Sequence, residues 1–256
     1  MNTTGYVRSR QLTPAVAALQ KIVVVIPAHD EADRLPACLA SVAAAADAVN
    51  LPVTVVVVLD ACTDHSEEVV GDGVRVLRVS VRNVGAARAA GFAAASAADP
   101  TTWLACTDAD CVVPTRWLAD QVAAHVRSFQ AVAGTVAVDW REHSVATQRL
   151  YDRLYRAGAK RRRHGHVHGA NLGVRADVYW RVGGFRPLPV GEDVDLVDRL
   201  AAADIPLIWD DRNVVLTSDR RNSRAPGGFG DFVTALAEQS QGADVAARSS
   251  RDLGGL

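Results

Sequence analysis

Short runs of β-branched residues alternate with longer alanine-rich stretches through the first half of the chain. Four of these runs predict strands: "KIVVVIPA", "VTVVVVLDA", "VRVLRVS" and "TTWLACTDAD". The stretches "EADRLPACLASVAAAADAV" and "VGAARAAGFAAASAAD" predict helices, and a short acidic helix is expected around residues 66–70. Strands that are apolar along their whole length are buried on both faces. The pattern therefore predicts an α/β fold with a mostly parallel sheet flanked by helices.

The regular alternation weakens after residue 125. Two strands are predicted there by "AVAGTVAVDW" and "GANLGVR", and a helix with a basic end by "SVATQRLYDRLYRAGAKRRR". The stretch "GDFVTALAEQSQGADVAARSS" predicts an amphipathic helix near the end of the chain. We expect a flexible N-terminal arm over residues 1–20, a single domain over 21–230, and a C-terminal helix with a loose tail over 231–256.

Composition and charge exclude several classes of protein. With 49% hydrophobic and 22% charged residues among 256, the chain can bury a full core and is not expected to be disordered. Its formal net charge of -1 gives no general attraction to nucleic acid, so no nucleic-acid partner is expected.

The chain shows no sign of a segment that would span a membrane or direct secretion. No stretch reaches the roughly 18 uncharged apolar residues of a membrane-spanning helix. The N-terminal residues lack the apolar core and cleavage site of a secretory signal. The four cysteines form no C-x-x-C pair, which is typical of free thiols in a reducing compartment. We expect a cytoplasmic protein without a transmembrane segment, which is compatible with peripheral association with a membrane.

Two aspartates, Asp108 and Asp110, directly follow the fourth predicted strand in "TDADCVVP". Carboxylates at a strand end beside a phosphate-binding crevice can hold a hard divalent cation on a diphosphate. The alternative is that one of them caps the helix predicted in "DCVVPTRWLADQV".

Polar side chains also follow the first two predicted strands, and they are expected at the same edge of the sheet. They are His29, Asp30, Glu31, Asp60, Thr63 and Asp64. So many carboxylates at one edge are electrostatically costly unless a cation or hydrogen-bond donors satisfy them. Ligands of such sheets bind at the carboxyl ends of the strands, so this edge is the candidate site.

With these motifs in view, the chain resembles a family 2 glycosyltransferase of the GT-A type. "VVVIPAHDEADRLPACLAS" resembles the opening strand and helix of that family, and "VVVLDACTDHS" the strand that ends in its nucleoside-binding aspartate. "TDADCVVPTRWL" resembles the strand with the D-x-D metal motif, and "VGGFRPLPVGEDVDLVDRL" the acceptor-side segment with a Glu-Asp pair. Four ordered motifs over roughly residues 21–210 are more specific than any single motif.

The resemblance implies a GT-A fold, with a Rossmann-like mostly parallel sheet and a small acceptor-side subregion. Residues 21–125 would form the nucleotide-sugar half of the domain, and residues 126–230 the acceptor half. Within the first half, the residues that would bind the nucleotide are Pro27, Ala28, Glu31, Asp60 and Arg88, the last in "RNVGAARAAG". Of these, Asp60 would accept a hydrogen bond from the base.

The resemblance also implies where the metal, the diphosphate and the acceptor bind. Asp108 would contact the ribose and, with Asp110, form the site of a divalent cation, Mn²⁺ or Mg²⁺. Arg220 or Arg221 in "TSDRRNSRAPGGFG" would reach the diphosphate of the nucleoside-diphosphate sugar from a mobile loop. Asp193 in "GEDVDL" would be the general base that deprotonates the acceptor hydroxyl, its proton affinity raised by neighbouring carboxylates. The alternative for Asp193 is a helix cap.

The chain departs from the family pattern at several points. "LDACTD" carries Leu59, Ala61 and Cys62 where many relatives have an aspartate, a glycine and a serine, so the base of the nucleotide stays open. The spacing from Gly85 to Arg88 is shorter than in many members. The Q-x-x-R-W signature of polymer-making members is absent, which favours transfer of a single sugar.

A basic and histidine-rich segment, "KRRRHGHVHGANLG", allows two interpretations. His164, His166 and His168 alternate, so on an extended segment one face would present all three to a metal such as zinc. The simpler interpretation is a basic helix end followed by loop histidines, with the arginines over 161–163 available to an anionic acceptor group.

The function we expect is metal-dependent transfer of one sugar from a nucleoside-diphosphate sugar to an acceptor hydroxyl, with inversion at the anomeric carbon. One alternative is a non-catalytic protein that binds nucleotide sugars. A less favoured one is a sugar nucleotidyltransferase, which would need a glycine-rich loop with a basic residue after the first strand. "IPAHDEADRL" contains no such loop.

Overall fold

A computed structural model describes residues 17–158, 166–222 and 227–252. Its strands are β1 Lys21–Ala28, β2 Val53–Asp60, β3 Arg75–Val79, β4 Thr102–Cys106, β5 Cys111–Val112, β6 Ala131–Asp139, β7 Leu172–Arg175 and β8 Leu207–Ser218. Its α-helices are α1 Leu35–Asp47, α2 Val84–Ala95, α3 Trp117–Val126, α4 Val145–Gly158, α5 Ala176–Arg181, α6 Glu192–Ala202 and α7 Phe229–Asp252. A single 3₁₀ turn, Gly169–Asn171, precedes β7.

The strands form one sheet in the order β3-β2-β1-β4-β7-β6-β8-β5. β1 pairs in parallel with both β2 and β4, and β2 pairs in parallel with β3. The α/β fold with a mostly parallel sheet flanked by helices is therefore confirmed. Six of the strands point the same way, because β7 is antiparallel to both β4 and β6 and β8 is parallel to β6. Their carboxyl ends lie at one edge of the sheet.

The valine-rich strand β1 is buried on both faces because it lies between two helical layers. Ile22, Val24 and Ile26 pack in the core that contains residues of α1 and α3. Val23 and Val25 pack in the core that contains residues of α2, α5 and α6. Alternate side chains of one strand thus supply two hydrophobic cores, as the period of an extended backbone requires.

Some local features differ from the sequence-based expectations. The expected acidic helix around residues 66–70 is absent: residues 66–69 form a turn, and the Ser66 side chain is buried there beside Asp64. The two-residue strand β5, which pairs antiparallel with β8, was not expected. The C-terminal helix begins at Phe229, two residues before residue 231. All four cysteines are free, and among the described residues no helix is long and apolar enough to cross a membrane.

Candidate active site

The polar residues that follow the strands meet at the edge where the carboxyl ends of the strands lie. Those brought together are Glu31 after β1, Asp108 and Asp110 after β4, Arg220 after β8, Arg88 on α2, and Glu192 and Asp193 at the start of α6, as their hydrogen bonds and ion pairs show. Carboxylates outnumber the guanidinium groups in this cluster, which favours the binding of an added cation.

Asp108 and Asp110 lie on the tight turn between β4 and β5. The Asp108 carbonyl accepts the backbone N–H of Cys111 at 3.1 Å, and Asp110 Oδ2 accepts the Ser218 hydroxyl at 2.7 Å. The following helix α3 has Arg116 at its N-cap position and no side-chain cap. Neither aspartate therefore caps that helix.

The D-x-D turn has the donor set that a hard divalent cation prefers. Carboxylate oxygens of Asp108 and Asp110 and the Cys111 sulfur lie within 4.8 Å of one another. Burial raises the pKa of the Cys111 thiol well above its usual range, so the thiol stays neutral and is a poor ligand. Oxygen ligands suit Mg²⁺ and Mn²⁺, and each carboxylate oxygen can accept more than one bond. The two aspartates thus fit the metal that the family motif implies.

Arg220 bridges the first strand and the D-x-D turn. Its Nη1 donates to Glu31 Oε1 at 2.6 Å, and its Nη2 lies 3.2 Å from Asp110 Oδ2. Arg221 points elsewhere, because its guanidinium donates to the Glu142 carbonyl at 2.6 and 2.9 Å. Of the two arginines considered from the sequence, Arg220 is the one placed beside the acidic cluster.

Asp219 anchors this arginine segment, a role that the sequence did not indicate. Its Oδ2 accepts three consecutive backbone N–H groups, those of Arg141, Glu142 and His143, at 2.8 to 3.0 Å. Asp219 is only 3% exposed. These partners lie more than 70 positions earlier in the chain, so no local sequence pattern predicts the contacts.

Arg88 is buried between Asp108 and Glu192. Its guanidinium pairs with Asp108 through Nη2 and with Glu192 through Nη1, and the residue is 2% exposed. Burial opposes the charged form, but the surrounding carboxylates outweigh it and raise the pKa of Arg88. Arg88 therefore stays protonated and is committed to these two carboxylates.

Glu192 and Asp193 open helix α6, whose N-cap is Gly191 in a left-handed conformation. Asp193 Oδ2 accepts the backbone N–H of Gly169 at 2.7 Å, which directs the carboxylate toward the segment before β7. Burial raises the pKa of Glu192, Arg88 opposes that rise, and Asp193 adds to it. The helix-cap position belongs to Gly191, so Asp193 is not the N-cap.

Asp195 does not face Asp193. Its carboxylate pairs with Arg199 and Arg186, and these bonds hold the pKa of Asp195 below its usual range. Asp195 therefore belongs to the outer side of α6, and the neighbour of Asp193 that is buried in the cluster is Glu192.

The residues expected to bind the nucleotide occupy the ends of β1 and β2. Asp60 accepts three backbone N–H groups, from residues 81–83, at 2.8 to 2.9 Å, and it is 5% exposed. Asp60 therefore holds the loop before α2, whether or not it also meets a base. Pro27 and Ala28 are buried residues at the end of β1, and the Ala28 carbonyl accepts the Cys62 thiol at 3.3 Å.

The histidine segment shows no metal geometry within the described residues. The ring of His166 stacks on Tyr155 with a centroid distance of 3.9 Å, and His168 Nε2 lies 3.2 Å from the Tyr155 hydroxyl. Among the described residues, no group of three possible metal ligands includes a histidine. His164 and the basic residues over 159–163 lie outside the described residues.

The chain is similar to known glycosyltransferases in sequence and in fold. The family model of glycosyl transferase family 2 matches residues 23–183. The mannosyltransferase PcManGT from Pyrobaculum calidifontis, solved in complex with GDP-Man and Mn²⁺, has a TM-score of 0.60 and 17% identity, over 93% of this chain and 78% of that one. TarS 1-349 of S. aureus, solved in complex with UDP-GlcNAc, has a TM-score of 0.56 and 14% identity, over 86% of this chain and 66% of that one.

Identities this low show a shared fold, which is the GT-A fold of these glycosyltransferases. No curated protein matches the sequence. The family model, in contrast, spans well over half of the chain and includes the strands that carry Asp60 and the D-x-D turn. The chain therefore belongs to glycosyl transferase family 2 and is a glycosyltransferase.

Proposed function

We propose that this enzyme transfers a single sugar from a nucleoside-diphosphate sugar to an acceptor hydroxyl, with a divalent cation and with inversion at the anomeric carbon. The observation that carries the proposal is the convergence of Asp108, Asp110 and Arg220 at the end of β4 in a family 2 fold. The two structural neighbours were solved with GDP-Man and Mn²⁺ and with UDP-GlcNAc, which supports the same class of donor here.

Asp108 and Asp110 would hold the cation, which when bound supplies positive charge against the diphosphate leaving group. Arg220 lies beside Glu31 and Asp110, and its guanidinium suits the bidentate binding of phosphate oxygens. Asp108 would also contact the ribose. The nucleoside would lie over the ends of β1 and β2, where Pro27, Ala28, Glu31 and Asp60 are placed.

Asp193 is the proposed general base. In a direct displacement, the acceptor oxygen forms a bond to the anomeric carbon while the bond from that carbon to the diphosphate oxygen breaks. The hydroxyl proton passes to the Asp193 carboxylate, which must lie within about 3 Å of the attacking oxygen. The hydrogen bond from the Gly169 N–H orients the Asp193 carboxylate.

We also propose how the domain is divided and where the protein is located. Residues 21–125 would bind the nucleotide sugar and residues 126–230 the acceptor, with the arm and the C-terminal helix outside these halves. The free cysteines support a cytoplasmic location. The acceptor would be a small molecule, a glycan or a lipid-linked molecule presented at a membrane surface.

The test is thermal stabilisation by UDP, GDP, dTDP and CDP, each with and without Mn²⁺. One nucleotide should raise the unfolding temperature only with Mn²⁺, and Asp110→Ala should abolish the shift. Asp47→Ala, an exposed aspartate on α1, is the matched control and should keep it. Absence of any shift in the wild type would contradict the proposal. Release of nucleoside diphosphate from the corresponding sugar nucleotide then separates an enzyme from a non-catalytic binding protein.

A further inference from the structure

Arg88 occupies an unusual position for a charged side chain. Its side chain is 3% exposed, and its two terminal nitrogens point to carboxylates from different parts of the chain, Asp108 after β4 and Glu192 at the start of α6. Its Nε is buried without a hydrogen-bond partner. The retention of a buried cation with an unsatisfied nitrogen is costly, which indicates a role that an apolar residue would not fill.

Two glycines make room for this bridge. A Cβ atom added to Gly169 would lie 2.4 Å from Arg88 Nη1, and one added to Gly85 would lie 3.0 Å from Glu192 Cβ. The backbone N–H of Gly169 also donates to Asp193 at 2.7 Å. The guanidinium therefore packs directly against the segment that orients Asp193.

The aromatic ring of Phe185 covers another side of the guanidinium, with 5.5 Å between Arg88 Cζ and the ring centroid. The Arg88 side chain is 3% exposed, against 16% for that of Arg220, so its guanidinium offers a nucleotide little accessible surface. Direct contact with the nucleotide is thus disfavoured.

We propose that Arg88 is a positioning residue that ties the D-x-D turn on the donor side to the start of α6, which carries the acceptor-side carboxylate Asp193. Its Nη2 donates to Asp108 and its Nη1 donates to Glu192. A single rigid guanidinium group therefore sets the distance between the D-x-D turn and the start of α6. A planar guanidinium can do this because its donors have fixed directions, whereas the ammonium of lysine is a point charge. This inference rests on the proposed function for the roles of Asp108 and Asp193.

The experiment compares Arg88→Lys, Glu192→Gln and the double variant. Each single variant should lower kcat by about tenfold or more, because each breaks the same link, and the double variant should lose little beyond the larger single loss. The affinity for the stabilising nucleoside diphosphate with Mn²⁺, measured by calorimetry, should change by less than about threefold in Glu192→Gln. Arg175→Lys is the matched control, since Arg175 pairs with Asp177 away from the cluster, and it should leave kcat unchanged.

Losses in kcat that multiply in the double variant would overturn the proposal, as would a nucleotide affinity that collapses in Arg88→Lys while kcat is retained. If Arg88→Lys does not fold, Glu192→Asp keeps the charge and shortens the side chain, and it should show the same loss of kcat with nucleotide affinity retained. Wild-type kcat in that variant would overturn the proposal too.

If the wild type turns over no sugar nucleotide, the proposed function fails, but the bridge can still be tested. The effects of Arg88→Lys and Glu192→Gln on urea unfolding should then be non-additive, because the two residues are direct partners. Additive effects would overturn the bridge itself.

Discussion

At the scale of single residues, carboxylates of similar sequence context have different partners and therefore different uses. Asp193 is held by a backbone N–H from another segment, while Asp195, two positions later, pairs with Arg199 and Arg186. Asp60 lies at a strand end like Asp108, yet it accepts three backbone N–H groups. These contacts, rather than residue type, separate a structural carboxylate from a candidate catalytic one.

Asp193→Asn should lower kcat by roughly 100-fold to 10,000-fold, because an amide cannot accept the proton of the acceptor hydroxyl. Nucleotide affinity should stay within a factor of about 3, since the proposed role begins only when the acceptor reacts. Steady-state kinetics and calorimetry measure the two effects. Asp195→Asn is the control and should retain most of the activity. Equal kcat in both variants would exclude Asp193 as the base.

Asp60→Ala should lower the free energy of unfolding by about 2 to 4 kcal/mol, because it leaves backbone donors of residues 81–83 without an acceptor. Asp60→Asn keeps one acceptor oxygen and should lose less. Urea unfolding at pH 7 measures both. An Asp60→Ala protein within about 0.5 kcal/mol of the wild type would show that the loop finds other acceptors.

At the scale of elements, the segment after β8 brings the guanidinium group of Arg220 to the D-x-D turn. Strand β8 ends at Ser218, whose hydroxyl bonds Asp110, and Asp219 then fixes the chain to the loop after β6. That anchoring leaves Arg220 over the acidic cluster and turns Arg221 toward Glu142. The order of the two arginines along the chain thus decides which one lies beside the acidic cluster.

Arg220→Gln should weaken nucleoside-diphosphate binding in the presence of Mn²⁺ by about tenfold or more, because a charge-assisted bond to phosphate is lost. Arg221→Gln, the neighbouring control, should change affinity by less than about threefold, because its partner is an exposed carbonyl. Titration calorimetry measures both. A larger loss in Arg221→Gln would mean that the segment rearranges when the donor binds.

At the scale of the whole molecule, the sheet is a parallel frame into which one short antiparallel strand, β7, is inserted. Strand β7 lies between β4 and β6 and is antiparallel to both, so the turn before it, Gly169–Asn171, reaches the same edge as the carboxyl ends of the other strands. The backbone N–H that holds Asp193 comes from this turn. The insertion of β7 therefore holds Asp193 at the edge where the carboxyl ends of the parallel strands lie.

Acid should destabilise the whole fold through carboxylates that are better hydrogen-bonded when folded. The pKa of Asp30 is lowered chiefly by the Thr63 N–H, and the pKa values of Asp99 and Asp195 are lowered by bonds from Thr101 and Arg199. A carboxylate whose pKa is lower in the folded state than in the unfolded state, where it is near 3.8 for aspartate, stabilises the fold at every pH above that unfolded pKa. This stabilisation is lost as the pH falls through the pKa of the folded state. The urea concentration at the unfolding midpoint should therefore decrease as the pH is lowered below about 4.

Asp30→Asn removes one of these groups, so its urea midpoint should change less between about pH 5 and about pH 3 than that of the wild type. A wild-type midpoint that is constant down to pH 3 would contradict this account. Unfolding at several pH values in the same buffer series measures the difference.

The sequence by itself determined the layered α/β fold, the parallel first half and the family, because these depend on apolar runs and on motifs that are read within a few consecutive residues. It also located the D-x-D turn and the Glu-Asp pair. Only the tertiary structure decided that β7 is antiparallel, that Arg88 is buried between Asp108 and Glu192, and that Asp219 fixes the loop after β6. The physical reason is that a local pattern states which residues prefer burial or a strand, whereas the partner of a charged side chain depends on which distant segments the packed core brings within hydrogen-bonding distance.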